Sequence, residues 1–93
     1  MIPLSIEDLK EYARMSSEER RSERGRAIRA EMENRMLWMP ERWRKLIRCR
    51  YILNYSAVKT ARVIGISERT VTTWTKELSE WLADKDAYLR QQT

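Results

Sequence analysis

The stretch ARVIGISERTVTTW, Ala61–Trp74, decides the fold. It holds an apolar-rich run that stops at Gly65, a serine-led restart at Ser67, and a polar segment with Val71 and Trp74 at helical spacing. Two helices crossing at close range need a small residue in the first, and Ala61 supplies it. A tight turn between them needs positive φ, which glycine adopts without steric cost, and Gly65 stands four residues later. An apolar residue six further on, Val71, locks the second helix against the first, with Ile64, Ile66 and Trp74 as additional core positions. This spacing is that of a helix-turn-helix, although any tight helical hairpin would also satisfy it.

Working outward, the signals are helical throughout. SIED, residues 5–8, has the form of a capping box and starts a first helix carrying Ile6, Leu9 and Tyr12/Ala13 at helical spacing. Met15-Ser16-Ser17 breaks it. Ser16 or Ser17 caps a second helix, with Glu18 and Glu19 at its positive end, expected to run unbroken to about Trp38. Its middle, EERRSERGRAIR, is nearly all polar and contains Gly25, so it reads as a solvated, partly frayed helix; Ile28, Met32 and Met36 make a narrow apolar stripe further on. Pro40 fits the first turn of a third helix, whose Trp43, Leu46, Ile47 and Tyr51 share a face. Asn54-Tyr55 reads as a turn, Ser56 caps a fourth helix over about 57–64, and Ser67 caps a fifth from Glu68. Val71, Trp74, Leu78 and Trp81/Leu82 form the stripe of that last helix, interrupted by ADKD at 83–86. The expected fold class is therefore all-α, in one small helical domain. Residues 1–38 form N-terminal helices available for oligomerisation or partner binding, 39–83 the helix-turn-helix unit, and 84–93 a tail or helix extension that includes Tyr88 and Leu89.

Composition narrows the function. The 93 residues carry a net charge of +5, and the charge is unevenly placed. Residues 1–16 are net −1, 17–39 net +1 and 77–93 net −2, whereas 40–76 hold nine Lys/Arg against two Asp/Glu, net +7. A concentrated basic block is the electrostatic footprint of phosphate binding. No apolar run is long enough to span a membrane, and the acidic N-terminus MIPLSIEDLKEY does not resemble a secretion signal, so a cytoplasmic protein is expected. One cysteine and no histidine cannot build a zinc site within the chain. No nucleophile–His pair, glycine-rich phosphate loop or carboxylate pair in an apolar run is present, so neither an enzyme nor a bound cofactor is expected. Trp43, Trp74 and Trp81 read as core rather than as base-stacking platforms, and Cys49 as a small core residue.

The segment Met39–Val71, MPERWRKLIRCRYILNYSAVKTARVIGISERTV, resembles region 4 of bacterial sigma factors and related sigma-like regulators. Pro40, Arg44, Arg50, Tyr51, Ser56, Ala61, Gly65, Ile66, Ser67, Thr70 and Val71 match that pattern without a gap. Thr60, Asn54 and Cys49 depart from it, standing where an apolar residue, glycine and leucine are usual, so the fourth helix is expected to rest lightly on Ala57, Val58, Ala61 and Ile64. Nothing upstream resembles the promoter-melting region of a full sigma factor. The resemblance implies a small phage late-gene type of transcriptional regulator, acting in the bacterial host cytoplasm, whose last helix enters the DNA major groove.

With Val71, Trp74 and Leu78 inward, the opposite face of that helix shows Glu68, Arg69, Thr72, Thr73 and Lys76, the candidate base contacts. Arg69 is suited to paired hydrogen bonds with guanine, Glu68 to cytosine N4, and threonine to either hydrogen bonding or a thymine methyl. Arg48, Arg50, Lys59, Arg62 and Ser67 are the candidate phosphate contacts, which position without reading sequence. The partners expected are double-stranded DNA together with a second copy of the chain or RNA polymerase, because one such helix reads only a few base pairs. Two alternatives stand beside this. One is the DNA-recognition small subunit of a phage terminase; the other is a protein-interaction module that grips RNA polymerase or a host factor.

Overall fold

The computed structural model describes residues 4–84, and these form helices and turns with no strand. The order is α1 Ile6–Arg14, α2 Ser17–Arg20, α3 Glu23–Met36, α4 Glu41–Ile47, α5 Ala57–Ile64 and α6 Glu68–Ala83. A π-helical turn, Arg48–Ile52, continues α4 directly. The expectations for Lys85–Thr93, including Tyr88 and Leu89, lie outside the described residues.

Serine starts five of the six helices. Ser5, Ser16, Ser22, Ser56 and Ser67 each hold an extended N-cap conformation and accept a hydrogen bond from the backbone N–H three residues on. That satisfies one of the donors every helix N-terminus leaves unpaired. At Ser5 and Ser16 the partner is an acidic residue, Asp8 or Glu19, whose carboxylate returns the bond to the cap's own N–H, closing a capping box. The second helix expected to run unbroken to Trp38 is two helices, split at Arg21-Ser22. The residue three after Ser22 is Gly25, which has no side chain to complete a box, so the local pattern advertises no helix start there. Pro40 stands one position before α4, as its N-cap.

Most of the polar EERRSERGR segment is exposed, as the solvated reading has it, but Arg20 and Gly25 are packed within it. The Arg20 guanidinium lies 4.4 Å from the Tyr12 ring centroid. It donates to the carbonyls of Tyr12 (3.2 Å) and Ala13 (3.5 Å) at the end of α1, and to those of Tyr51 (3.2 Å) and Ile52 (2.7 Å) at the end of the π-helical turn. One side chain thus joins two helix C-termini, where carbonyls lack intrahelical donors and the macrodipole favours a cation. Arg24 pairs with Glu11 (3.0 Å) and Asp8 (3.1 Å), tying α3 to α1. The Glu11 carboxyl is held below its usual range, chiefly by the hydrogen bond from Arg24.

The buried core is one cluster. Leu9 and Tyr12 of α1, Ile28, Met32 and Met36 of α3, Trp43, Leu46 and Ile47 of α4 and Tyr51 of the π-helical turn meet Ala61, Val71, Leu78 and Leu82. The Trp43 and Trp81 rings are 5.7 Å apart, tilted by 56°, and close the α4–α6 seam. Cys49 is buried, and desolvation pushes its thiol pKa up, as expected of an inert core cysteine. The contacts of α5 differ from expectation: Val58 is exposed, and Thr60, at 0% exposure, is buried in its place. The register that turns Ala61 inward also turns in Thr60, one step round the helix, and turns Val58 out.

Candidate nucleic-acid interface

The turn after α5 has the conformation its glycine implied. Gly65 lies at φ 84°, ψ 38°, in the left-handed region. The N–H groups of Gly65 and Ile66 both donate to the Ala61 carbonyl, at 2.8 and 2.9 Å, and so close the helix. Two residues later Ser67 caps α6, accepting from the Thr70 N–H at 3.1 Å. Asn54, ahead of α5, also has positive φ, 56°, as its turn reading required. The segment is therefore held at both ends of α5 by backbone conformations that most residues avoid.

Helix α6 divides into sides. Val71, Leu78 and Leu82 are buried, with Trp74 and Trp81 half-buried beside them. One flank meets α4 through the Trp43–Trp81 pair and the Arg42–Glu77 ion pair at 3.9 Å. Away from the core, Glu68, Arg69, Thr72, Thr73 and Lys76 are all exposed, and the structure brings these five onto one surface. Thr72 and Thr73 donate their hydroxyls back to the Glu68 and Arg69 carbonyls, at 3.3 and 3.1 Å. Their protons are thereby committed, leaving the hydroxyl oxygen as an acceptor and the methyl group as an apolar contact.

The five candidate phosphate residues fare differently. Lys59 and Arg62 are exposed on α5, and the Lys59 ammonium stands 4.1 Å from the Tyr55 ring centroid. Ser67 is exposed at the start of α6, where its hydroxyl also meets that of Thr70 at 2.9 Å. Arg50 is half-buried and donates to the Tyr55 carbonyl at 2.8 Å, so it first serves to fix the turn. Arg48 is not grouped with the others. It lines a separate groove of 650 Å³ with Arg29, Leu37, Arg44 and Leu53, and no residue of α5 or α6 contributes to that groove. Five residues in helical order, Arg44 to Arg48, place both arginines on the α3 side of α4, while α6 packs on its other side through Trp43.

A second cleft, of 510 Å³, runs along the remaining flank of α6. Arg50, Thr72, Lys76, Ser79 and Glu80 line it, and α1 contributes Ile6 and Lys10. Sequence reasoning missed Lys10 as a neighbour of α6, and no local signal marks it, since it lies in a stretch that is net negative. No group of three potential metal ligands is assembled among the described residues, and no described helix is long and apolar enough to cross a membrane. Comparison with protein-family models, curated proteins and solved structures found no match to this chain.

Proposed function

We propose that this chain is a sequence-specific double-stranded DNA-binding protein in which α5, the Gly65 turn and α6 act as a sigma region 4-like helix-turn-helix. The observation that carries the reading is the exposed face of α6, Glu68, Arg69, Thr72, Thr73 and Lys76, placed directly after a turn closed by glycine at positive φ. Helices that read the major groove present N-terminal residues to the base edges in this way. The basic block supplies the complementary field, with Lys59 and Arg62 exposed on the preceding helix. Regulation of transcription is the role we assign, on the resemblance of Met39–Val71.

Selection of bound duplexes from a random pool tests the proposal, since it yields both the site and its symmetry. On the selected site, Arg69→Ala is expected to cost about 1–3 kcal/mol and to relax preference at one or two base pairs. Lys59→Ala and Arg62→Ala are expected to weaken all sequences alike and to lower the salt slope by about one each. Binding by Arg69→Ala that matches the parent on preferred and scrambled duplexes would remove α6 as the reading helix. The protein-interaction reading has an observation of its own. Leu37 and Leu53, 72% and 54% exposed, border the groove between α3 and α4, away from α6. It predicts no DNA binding even at low salt.

A further inference from the structure

The cleft between α1 and α6 brings together three cations from three distant parts of the chain: Lys10, Arg50 and Lys76. They come from α1, the π-helical turn and α6 itself, so no single helical periodicity accounts for their meeting. Arg50 is fixed by its hydrogen bond to the Tyr55 carbonyl at 2.8 Å. Lys10 rides on the exposed side of α1, where among the described residues it pairs with Glu7 at 3.4 Å, and half of its side chain is open to solvent. The cleft is bordered by Thr72 and Lys76, which also belong to the exposed face of α6. It therefore lies along the edge of that face, where a sugar–phosphate strand runs when a helix occupies the major groove.

We propose that this cleft is a phosphate-binding site, in which Lys10, Arg50 and Lys76 hold one DNA strand beside α6. The inference rests on the DNA-binding reading and deepens it, adding a contact from the N-terminal helix to a unit otherwise confined to residues 40–76. Phosphate contacts of this kind set the orientation of a reading helix without carrying sequence information. A guanidinium anchored by one of its own nitrogens loses little freedom when a phosphate arrives at the others. Glu80, in the same cleft, opposes the phosphate charge and limits the affinity.

The test compares Lys10→Ala, Glu80→Gln and the parent on a selected and a scrambled duplex across a salt series. Both substituted side chains lie on the exposed surface, so the fold is expected to persist. Lys10→Ala is expected to lower the salt slope by about one and to weaken both duplexes equally, on the order of tenfold at 0.1 M salt. Glu80→Gln is expected to strengthen both duplexes. Lys10→Ala with the parent's slope and affinity, in a protein whose Lys59→Ala variant shows the loss, would overturn the cleft and leave the DNA reading standing. A parent that binds neither duplex would overturn both.

Discussion

Replacing Gly25 by alanine sets local helix propensity against tertiary packing, and the two demand opposite signs. Gly25 occupies the third position of α3. On propensity alone, alanine in place of a helical glycine stabilises by roughly 0.5–1 kcal/mol. The backbone leaves no room for it. A Cβ at this position would stand 2.5 Å from both the Arg20 and Glu19 carbonyl oxygens and 2.6 Å from the Arg20 Cα. These are backbone atoms, and Arg20 is itself pinned to the carbonyls of Tyr12, Ala13, Tyr51 and Ile52, so they have little freedom to retreat. Overpacking of this kind costs about 1–3 kcal/mol. The net is a loss of up to about 2.5 kcal/mol, which for a domain of this size lowers Tm by up to roughly 10–20 °C. Thermal unfolding followed by circular dichroism reads it, with Ala30→Gly, an exposed position of the same helix, calibrating propensity in the opposite direction. A Gly25→Ala protein melting at or above the parent's temperature would refute the close approach of α2 to α3.

Gly65→Val should cost on the order of 1–3 kcal/mol through strain at φ 84°, although a Cβ there meets nothing within 4 Å; Gly65→Asn should recover most of it, as measured by urea denaturation, because asparagine tolerates this conformation. Thr60 is fully buried and its hydroxyl has no hydrogen-bond partner among the described residues, so the near-isosteric Thr60→Val should raise stability by about 1 kcal/mol; an unchanged or lower Tm would show that the hydroxyl is satisfied in solution. Acid should loosen the N-terminal helices. The Glu11 carboxyl is held low by its hydrogen bond from Arg24, and that of Glu19 by the backbone N–H and hydroxyl of Ser16. Depressed folded-state values contribute stability above the ordinary carboxylate pKa that is lost as pH falls through them, so Tm should drop below about pH 4. Glu11→Gln should flatten part of that drop in a pH series.

Much of the fold was legible because its signals are local. A serine with an acidic residue three positions on marks a capping box at Ser5, Ser16-Ser17 marks the next helix start to within one residue, and a glycine between apolar runs marks the left-handed stop at Gly65. The inner stripe of α6 follows from helical periodicity alone, and so does the exposed face that carries Glu68, Arg69, Thr72, Thr73 and Lys76. The tertiary structure decided what depends on residues far apart in the chain. The α2–α3 break has no box because Gly25 stands where an acidic residue would complete it, and that glycine is present for the approach of another turn. Arg20 reads as a surface cation until the ends of α1 and of the π-helical turn converge on it. Arg48 and Lys10 exchange places for the same reason. Block charge assigned the first to the α6 side and the second to an acidic stretch, yet packing turns Arg48 toward α3 and carries Lys10 to α6. Periodicity determines which way a side chain leaves its own helix, and only the packing of helices against one another determines what it then meets.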